Sequence, residues 1–220
     1  AQKHVISWKN INYTVEGDKQ LINDASGFIS SGLTALMGES GAGKTTLLNV
    51  LSQRVESGVV TGELLIDGKP LTNIGAFRRS TGFVQQQDVH LDLLTVKESL
   101  EISCTLRGDG DMEYLASIAK LLKLPANKLV IDLDPTEKKL LSIGVELVTK
   151  PSLLLFLDEP TSGLDAEAAV TIVKFLKKLS EQGQAILCTI HQPSKSVISY
   201  FDNIYLLKRG GECVYFGGIT

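Results

Sequence analysis

Nothing in this chain is apolar over a long enough stretch to cross a bilayer. Such a span needs roughly 20 residues, and the longest uninterrupted apolar run, Leu153 to Leu157, has five. No signal-peptide pattern opens the chain, so a soluble piece is expected. Blocks of basic charge are missing as well. Twenty-two Lys and Arg stand against 25 Asp and Glu, for a formal charge of −3, and no basic cluster exceeds the pairs Arg78-Arg79, Lys138-Lys139 and Lys177-Lys178. Nucleic acid and other polyanionic partners are therefore disfavoured. Cysteine is scarce: Cys104, Cys188 and Cys213 are too far apart for metal-ligand spacing. Cys104 and Cys188 lie in apolar stretches, where a buried reduced thiol is expected, as suits a reducing compartment. Internal repeats and low-complexity tracts are absent.

What is present is 220 residues, 43% of them hydrophobic, enough for one core with or without an insertion. The chain opens on Ala1 rather than Met, and we read it as a segment of something longer. Strand-like and helix-like stretches alternate. "HVISW", "INYTV" and "GFIS" read as early strands, "GLTALMG" as a strand entering a glycine loop, and "GELLIDGKPL" as a hairpin turning at Asp67-Gly68. A helix from Lys44 to Gln53 follows the loop. After Asp88, Thr95 and Glu98 form a capping box opening a helix through about Leu106. Leu115, Ile118, Ala119 and Leu122 fall at helical spacing in a second helix closed by Pro125, and Asp134-Pro135 starts a third that continues to Lys150. From Pro151 come "LLLFL", a helix from Asp165 to about Gln182 striped by Ala169, Ile172, Val173, Leu176 and Leu179, the strand "AILCTI", a short helix near Ser196 and two closing strands. Gly183 is the expected stop of the long helix. A uniformly apolar strand such as "LLLFL" belongs in a parallel sheet covered on both faces. The expected architecture is an α/β core interrupted by a helical insertion over residues 88–144.

The densest motif is "LMGESGAGKTTLLNVL", residues 36–51. Gly38, four residues, then Gly43-Lys44-Thr45 fit a loop whose backbone N–H groups wrap nucleotide phosphates. In that pattern the Lys reaches the terminal phosphates and the Thr hydroxyl binds Mg2+. The cradle runs through Gly38, Glu39, Ser40, Gly41, Ala42, Gly43, Lys44, Thr45 and Thr46, and the helix behind it points its positive end at the same anion. A glycine turn without ligand is the alternative, which the strand before and the helix after disfavour. The expected ligand is a nucleoside triphosphate.

In "LLLFLDEP" a buried strand delivers Asp158 and Glu159 to the sheet's carboxyl edge, where α/β sites lie. Asp158 is expected to hold Mg2+, directly or through water, and Glu159 to polarise the attacking water, against the plainer reading of a solvated strand-end acid. His191 follows "AILCTI", again at a strand end, and is expected to touch the γ-phosphate rather than to be a core histidine. Gln86, in "FVQQQD", offers a neutral amide for Mg2+ or for the lytic water, with its two flanking glutamines as competitors.

Together these motifs resemble one family. "GESGAGKT", "VQQQD", "LLLFLDE", "SGLD" and "TIHQPS" stand in the order and spacing of ABC transporter nucleotide-binding domains, across nearly the whole chain. "GVELVTKPSLLLFLDEPTSGLD", "GQAILCTIHQPS" and "GGECVYFGG" are similar to the G subfamily, in particular the C-terminal nucleotide-binding domain of fungal pleiotropic-drug-resistance transporters. The resemblance implies a P-loop NTPase (ABC ATPase) fold. Its RecA-like core and antiparallel β subdomain would take residues 1–87 and 145–220, and an inserted α-helical subdomain residues 88–144. It also implies ATP and Mg2+ as ligands and a second nucleotide-binding domain as partner, in the N-terminal half of the same polypeptide. Transmembrane domains at the cytoplasmic face of a membrane, the plasma membrane by resemblance, would complete a pump for drugs, lipids or sterols. Asp165 of "SGLD" would contact the partner while also serving as an ordinary N-cap. The adenine would stack on the early strands, where Tyr13 and Val15 share a face and relatives favour Val15. Trp8 reads as packing, and the helix from Thr95 offers either a docking face for the transporter or a solvated one.

The chain departs from that family in one place. Where members carry a signature, typically LSGGQ, whose bare backbone nears the γ-phosphate held by the partner, this chain has Leu133-Asp134-Pro135-Thr136-Glu137. Pro135 has no N–H, Thr136 adds bulk, and Asp134 and Glu137 bring negative charge to an anion site. The same residues make a capping box and read first as a structural helix start. We therefore expect one competent composite site, on this chain's loop, Glu159 and His191, and one degenerate site capped by residues 133–137, with the isolated domain weakly active. A soluble ABC-type ATPase acting on ribosomes or chromosomes is disfavoured by the acidic balance and the lack of a coiled-coil insertion. An ATP-binding switch without useful hydrolysis is disfavoured by Glu159 and His191, and a P-loop kinase would leave "SGLD" and "IHQPS" without a role.

Overall fold

The computed structural model describes residues 5–17 and 19–219. In chain order it begins with β1 (Ile6–Val15), β2 (Lys19–Ile29), β3 (Leu33–Gly38), α1 (Lys44–Leu51), β4 (Val59–Ile66), β5 (Lys69–Pro70), α2 (Ile74–Arg79) and β6 (Thr81–Val84). Three helices follow, α3 (Val96–Arg107), α4 (Met112–Leu122) and α5 (Pro135–Leu147), with one 3-10 turn at Val130–Asp132. The chain closes with β7 (Leu154–Leu157), α6 (Ala166–Glu181), β8 (Ile186–Thr189), α7 (Lys195–Ile198), β9 (Asn203–Lys208) and β10 (Glu212–Gly218).

Two sheets result. The smaller is antiparallel, in the order β2-β1-β4-β5. The larger runs β10-β9-β3-β8-β7-β6, parallel throughout except for β10. Alternation between two covered faces explains why β7 is apolar at every position and β8 nearly so. Leu155 and Leu157 of β7 and Ile186 and Cys188 of β8 face a core shared with Ile172, Val173, Leu176 and Leu179 of α6. Leu154, Phe156 and Leu187 face the other core, with Leu47, Leu48 and Leu51 of α1 and the inner side of the small sheet. Trp8 is packed there against Tyr205, ring centroids 5.5 Å apart. Among the described residues no helix is long and apolar enough to cross a membrane.

The helical segment docks on the first core through Leu100, Cys104, Leu115, Ile118, Leu122 and Leu141. The N-caps of α3 and α5 are the ones the sequence predicts, while α4 is capped by Asp111, which accepts from Tyr114 N (2.9 Å). Thr95 Oγ1 accepts from Glu98 N (3.2 Å) while Glu98 Oε2 accepts from Thr95 N (2.7 Å). Arg107 of α3 donates twice to Glu146 of α5 (2.7 and 2.8 Å), and Glu146 Oε2 also accepts from Phe83 N of β6 at 3.3 Å, so the helices are tied to the edge of the large sheet.

Some expectations are corrected. "HVISW" and "INYTV" belong to one strand, bent where Asn10 takes a left-handed conformation (φ 51) and donates to Asp24 Oδ1 (2.7 Å); His4 lies outside the described residues. α1 ends at Leu51, with Gln53 left-handed (φ 60). α5 stops at Leu147 instead of Lys150, which is itself left-handed (φ 54) just before Pro151. α2 is absent from the sequence reading because it buries one side chain, Phe77, and so shows no stripe.

Two stability predictions follow from the junctions. At Gly211 (φ 78) a Cβ would collide with Leu21 O and lie 2.5 Å from Ile22 Cα, where the two sheets meet through Asn23 N donating to Gly211 O. Gly211→Ala should cost about 3 kcal/mol in urea unfolding, and Gly210→Ala, equally left-handed but in open space, about 1 kcal/mol. Lys150 donates to Asp109 (2.7 Å) and Asp111 (2.8 Å) and holds both below the ordinary carboxylate value of 3.8. A depressed carboxylate adds stability that is complete above its unfolded pKa and lost as pH falls through the lower folded one. Below about pH 4 the urea midpoint should fall more steeply in the unmodified chain than in Lys150→Met, whose two carboxylates titrate nearer their ordinary value.

Candidate functional site

The carboxyl ends of the neighbouring strands β3, β8 and β7 converge on a cleft of about 360 Å³ lined by Ser40, Gly41, Gly43, Lys44, Thr45, Thr46, Glu159 and His191. Its floor is the turn from β3 into α1. A Cβ on Gly38 would come within 2.6 Å of Leu207 O on β9, and Gly41 (φ 77) and Gly43 (φ 100) are left-handed. Gly43 caps α1 with no side-chain hydrogen bond, which leaves the helix's first-turn N–H groups to an anion. Lys44 is buried, and its ammonium donates to Gly38 O (2.8 Å) and Glu39 O (3.0 Å), across the loop it follows.

β7 delivers the acids. Asp158 is 8% exposed, and its Oδ1 accepts from Thr45 Oγ1 (3.1 Å) and from Thr189 Oγ1 (2.8 Å). A hydroxyl and a carboxylate side by side, next to a phosphate-shaped loop, are the hard oxygen donors that Mg2+ takes, its remaining positions going to water and substrate phosphates. The residues therefore fit that ion. Glu159 is left-handed (φ 43), a conformation rare outside glycine and retained mainly where function requires it. Its N–H donates to Thr189 Oγ1 (2.7 Å), and its Oε2 accepts from Gln86 Nε2 (3.1 Å), which also lies 3.4 Å from Ser162 Oγ. Of the three adjacent glutamines, Gln86 is thus the one brought to the acid. His191, after β8, lines the same cleft, and the next residue, Gln192, is again left-handed (φ 42). Cys188 of β8 is fully buried and forms no disulfide, and desolvation raises its thiol pKa, which keeps it protonated.

Other predicted residues fall elsewhere. Tyr13 is corrected: its ring is buried in the small sheet and its hydroxyl donates to Ser57 O (2.9 Å), so no face is left for stacking. Val15 is half-buried against the same core, and neither lines the cleft. Asp165 caps α6, accepting from Ala168 N (2.8 Å). Residues 133–137 form the start of α5. Leu133 is buried, Pro135 opens the helix, Asp134 Oδ1 accepts from Glu137 N (2.8 Å), and Glu137 Oε2 accepts from Asp134 N (2.9 Å) and pairs with Lys128 (2.7 Å). Both carboxylates are thereby committed to the helix's own N-terminus.

With loop, acids and strand ends in place, the match to known proteins is decisive: residues 23–162 fit the ABC transporter family. The chain belongs to that family. It is 86% identical over 219 residues to the ATP-dependent permease PDR11 and 82% identical over 217 residues to the ATP-dependent permease AUS1, both of Saccharomyces cerevisiae. It is 51% identical over 231 residues to the brefeldin A resistance protein of Schizosaccharomyces pombe. These alignments cover 98–100% of the chain but only 15–16% of each relative, so the chain spans about one sixth of the proteins it matches. Among solved structures, an ATP-binding cassette of an ABC transporter in its ADP conformation superposes with a TM-score of 0.85 at 23% identity, covering 98% of this chain and 91% of that one. The cassette cbiO1 of Clostridium perfringens gives 0.88 at 24%, covering 98% and 89%. At that identity they speak for the fold, a P-loop cassette of α/β type.

Reading the ABC cassette from sequence misses Thr189. It is the hydroxyl in an otherwise apolar strand, fully buried, and it bridges the two acids. Thr189→Val keeps the shape and removes both bonds. In the full-length protein it should lower ATP turnover by about one to two orders of magnitude, while Thr189→Ser retains most of it, as measured by steady-state phosphate release.

Proposed function

We propose that this chain is the ATP-hydrolysing cassette of a fungal pleiotropic-drug-resistance-type permease, and specifically its second, C-terminal nucleotide-binding domain. The observation that carries the reading is that the glycine loop, Glu159 and His191 line one cleft, at whose side Asp158 is bonded to Thr45 and Gln86 to Glu159. Loop amides and Lys44 bind the phosphates, and Thr45 and Asp158 hold Mg2+, which when bound neutralises phosphate charge. Glu159, oriented by Gln86, takes the proton of the attacking water, and His191 reads the terminal phosphate. The Gln86 amide on Glu159 supports the water-side role for Gln86 over direct metal ligation.

The cassette works against a second nucleotide-binding domain from the N-terminal half of the same polypeptide. In that arrangement residues 88–144 act as the helical arm facing the partner and the membrane domains. Exposed apolar side chains at Val89, Leu91, Leu93 and Leu106 support a docking face there. The names of the relatives, permeases and a brefeldin A resistance protein, support a drug as cargo; the same reading extends to a lipid or sterol and sets the cassettes on the cytoplasmic face, at the plasma membrane. The committed carboxylates of Asp134 and Glu137, with Pro135 lacking an N–H, support a degenerate second site.

The test is made on the full-length protein. Glu159→Gln should reduce ATP turnover by at least about a hundredfold. Restoring Ser-Gly-Gly at positions 134–136 should change the basal rate by less than about threefold. Equal losses from disabling either composite site would refute the asymmetry, and full turnover in Glu159→Gln would refute the site.

A further inference from the structure

A buried lysine outside the cleft ties two of its parts together. Lys139, on α5 one turn beyond the capping box, has a side chain only 3% exposed, a burial that lysine tolerates when its charge is met. Its ammonium donates to Asp88 Oδ1 (2.9 Å), Gln86 O (2.9 Å) and Gln85 O (3.2 Å), which occupies all three of its hydrogens. Asp88 Oδ1 also accepts from Ser142 Oγ (2.6 Å), one turn along the same helix. Ser142 Oγ lies 2.9 Å from His90 Nε2, which is 3.1 Å from Lys138 O; a carbonyl can only accept, so Nε2 carries the hydrogen. Residues 85–90 are thus strapped along α5, and the same segment sends the Gln86 amide to Glu159.

We propose that Lys139 is a positioning residue for hydrolysis. By gripping the carbonyls of Gln85 and Gln86 it sets the Gln86 amide at Glu159, and it makes that contact depend on where the helix starting at Pro135 sits. Breaking the grip would strand a buried charge, so the glutamine segment travels with α5 rather than independently of it. The start of α5 would serve the degenerate composite site, while Lys139, one turn on, serves this chain's own competent one. A displacement at the first is therefore mechanically linked to the geometry of the second. The inference rests on the roles proposed above for Gln86 and Glu159.

Steady-state ATP turnover of the full-length protein tests it with Lys139→Met, Lys139→Arg, Gln86→Ala and the Lys139→Met/Gln86→Ala double variant. Lys139→Met should lower kcat about tenfold with KM for ATP within about twofold. Lys139→Arg should recover about a third of the rate, and the double variant should fall no more than about twofold below the slower single one. Multiplicative losses, or a rise in KM that accounts for the effect, would overturn the proposal in favour of a purely structural lysine. Should Lys139→Met fail to fold, Ser142→Ala, which loosens Asp88 and leaves the charge paired, takes its place in the same cycle with an expected loss of about threefold. If Gln86→Ala leaves kcat unchanged, the role given to Gln86 fails and this inference with it. If Gln86→Ala lowers kcat while Lys139→Met does not, only the inference about Lys139 falls.

Discussion

Two strand ends and the head of a helix are held together by one carboxylate. Asp158 accepts from Thr45 at the head of α1 and from Thr189 at the end of β8, and Thr189 in turn receives the N–H of Glu159. The bond from Thr189 to Asp158 is buried, so water does not compete for it and it is worth more than an exposed counterpart. These bonds also decide where the next residue goes. With its backbone N–H anchored on Thr189, Glu159 adopts a left-handed conformation, and its carboxylate meets the Gln86 amide. The strain of that conformation is borne by the packing of β7 between β6 and β8.

The helical segment is coupled to this centre by charge rather than by apolar packing alone. Glu146 collects Arg107 and the Phe83 N–H, and Lys139 collects Asp88 and two carbonyls of the segment that carries Gln86. Both are largely buried ionic groups on α5, one at each end of the face turned to the sheet. Apolar contacts would let α5 slide by small amounts, whereas directional bonds to a buried charge admit few alternative arrangements. The N-terminus of the same helix is closed on itself by Asp134 and Glu137, which leaves it a well-capped helix and a poor anion site.

Much of this was legible in one dimension, for identifiable reasons. The loop from Gly38 to Thr45, the acids after β7 and the caps at Thr95, Asp134 and Asp165 are local patterns, in which spacing along the chain is nearly the same as spacing in the fold. Lys139 was hidden because it stands in a Lys-Lys pair that resembles surface charge, although it shares a helix face with Ser142, Ile143 and Glu146. Thr189 was hidden because a hydroxyl in an apolar strand passes for a tolerated core residue. Tyr13 misled for the opposite reason: its ring suits stacking by type, but the register of β1 turns it into the core.

The sequence by itself determined the family, the phosphate-type loop, the acids after β7 and the departure at residues 133–137, because each depends on residue type at short, fixed spacing. Only the tertiary structure decided which of three glutamines reaches Glu159, that Thr189 bridges the acids, and that a lysine of α5 grips the glutamine segment. Those pairings join residues 30 to 73 positions apart, and partners that distant are chosen by the packing of the sheet and its helices, which no local pattern encodes.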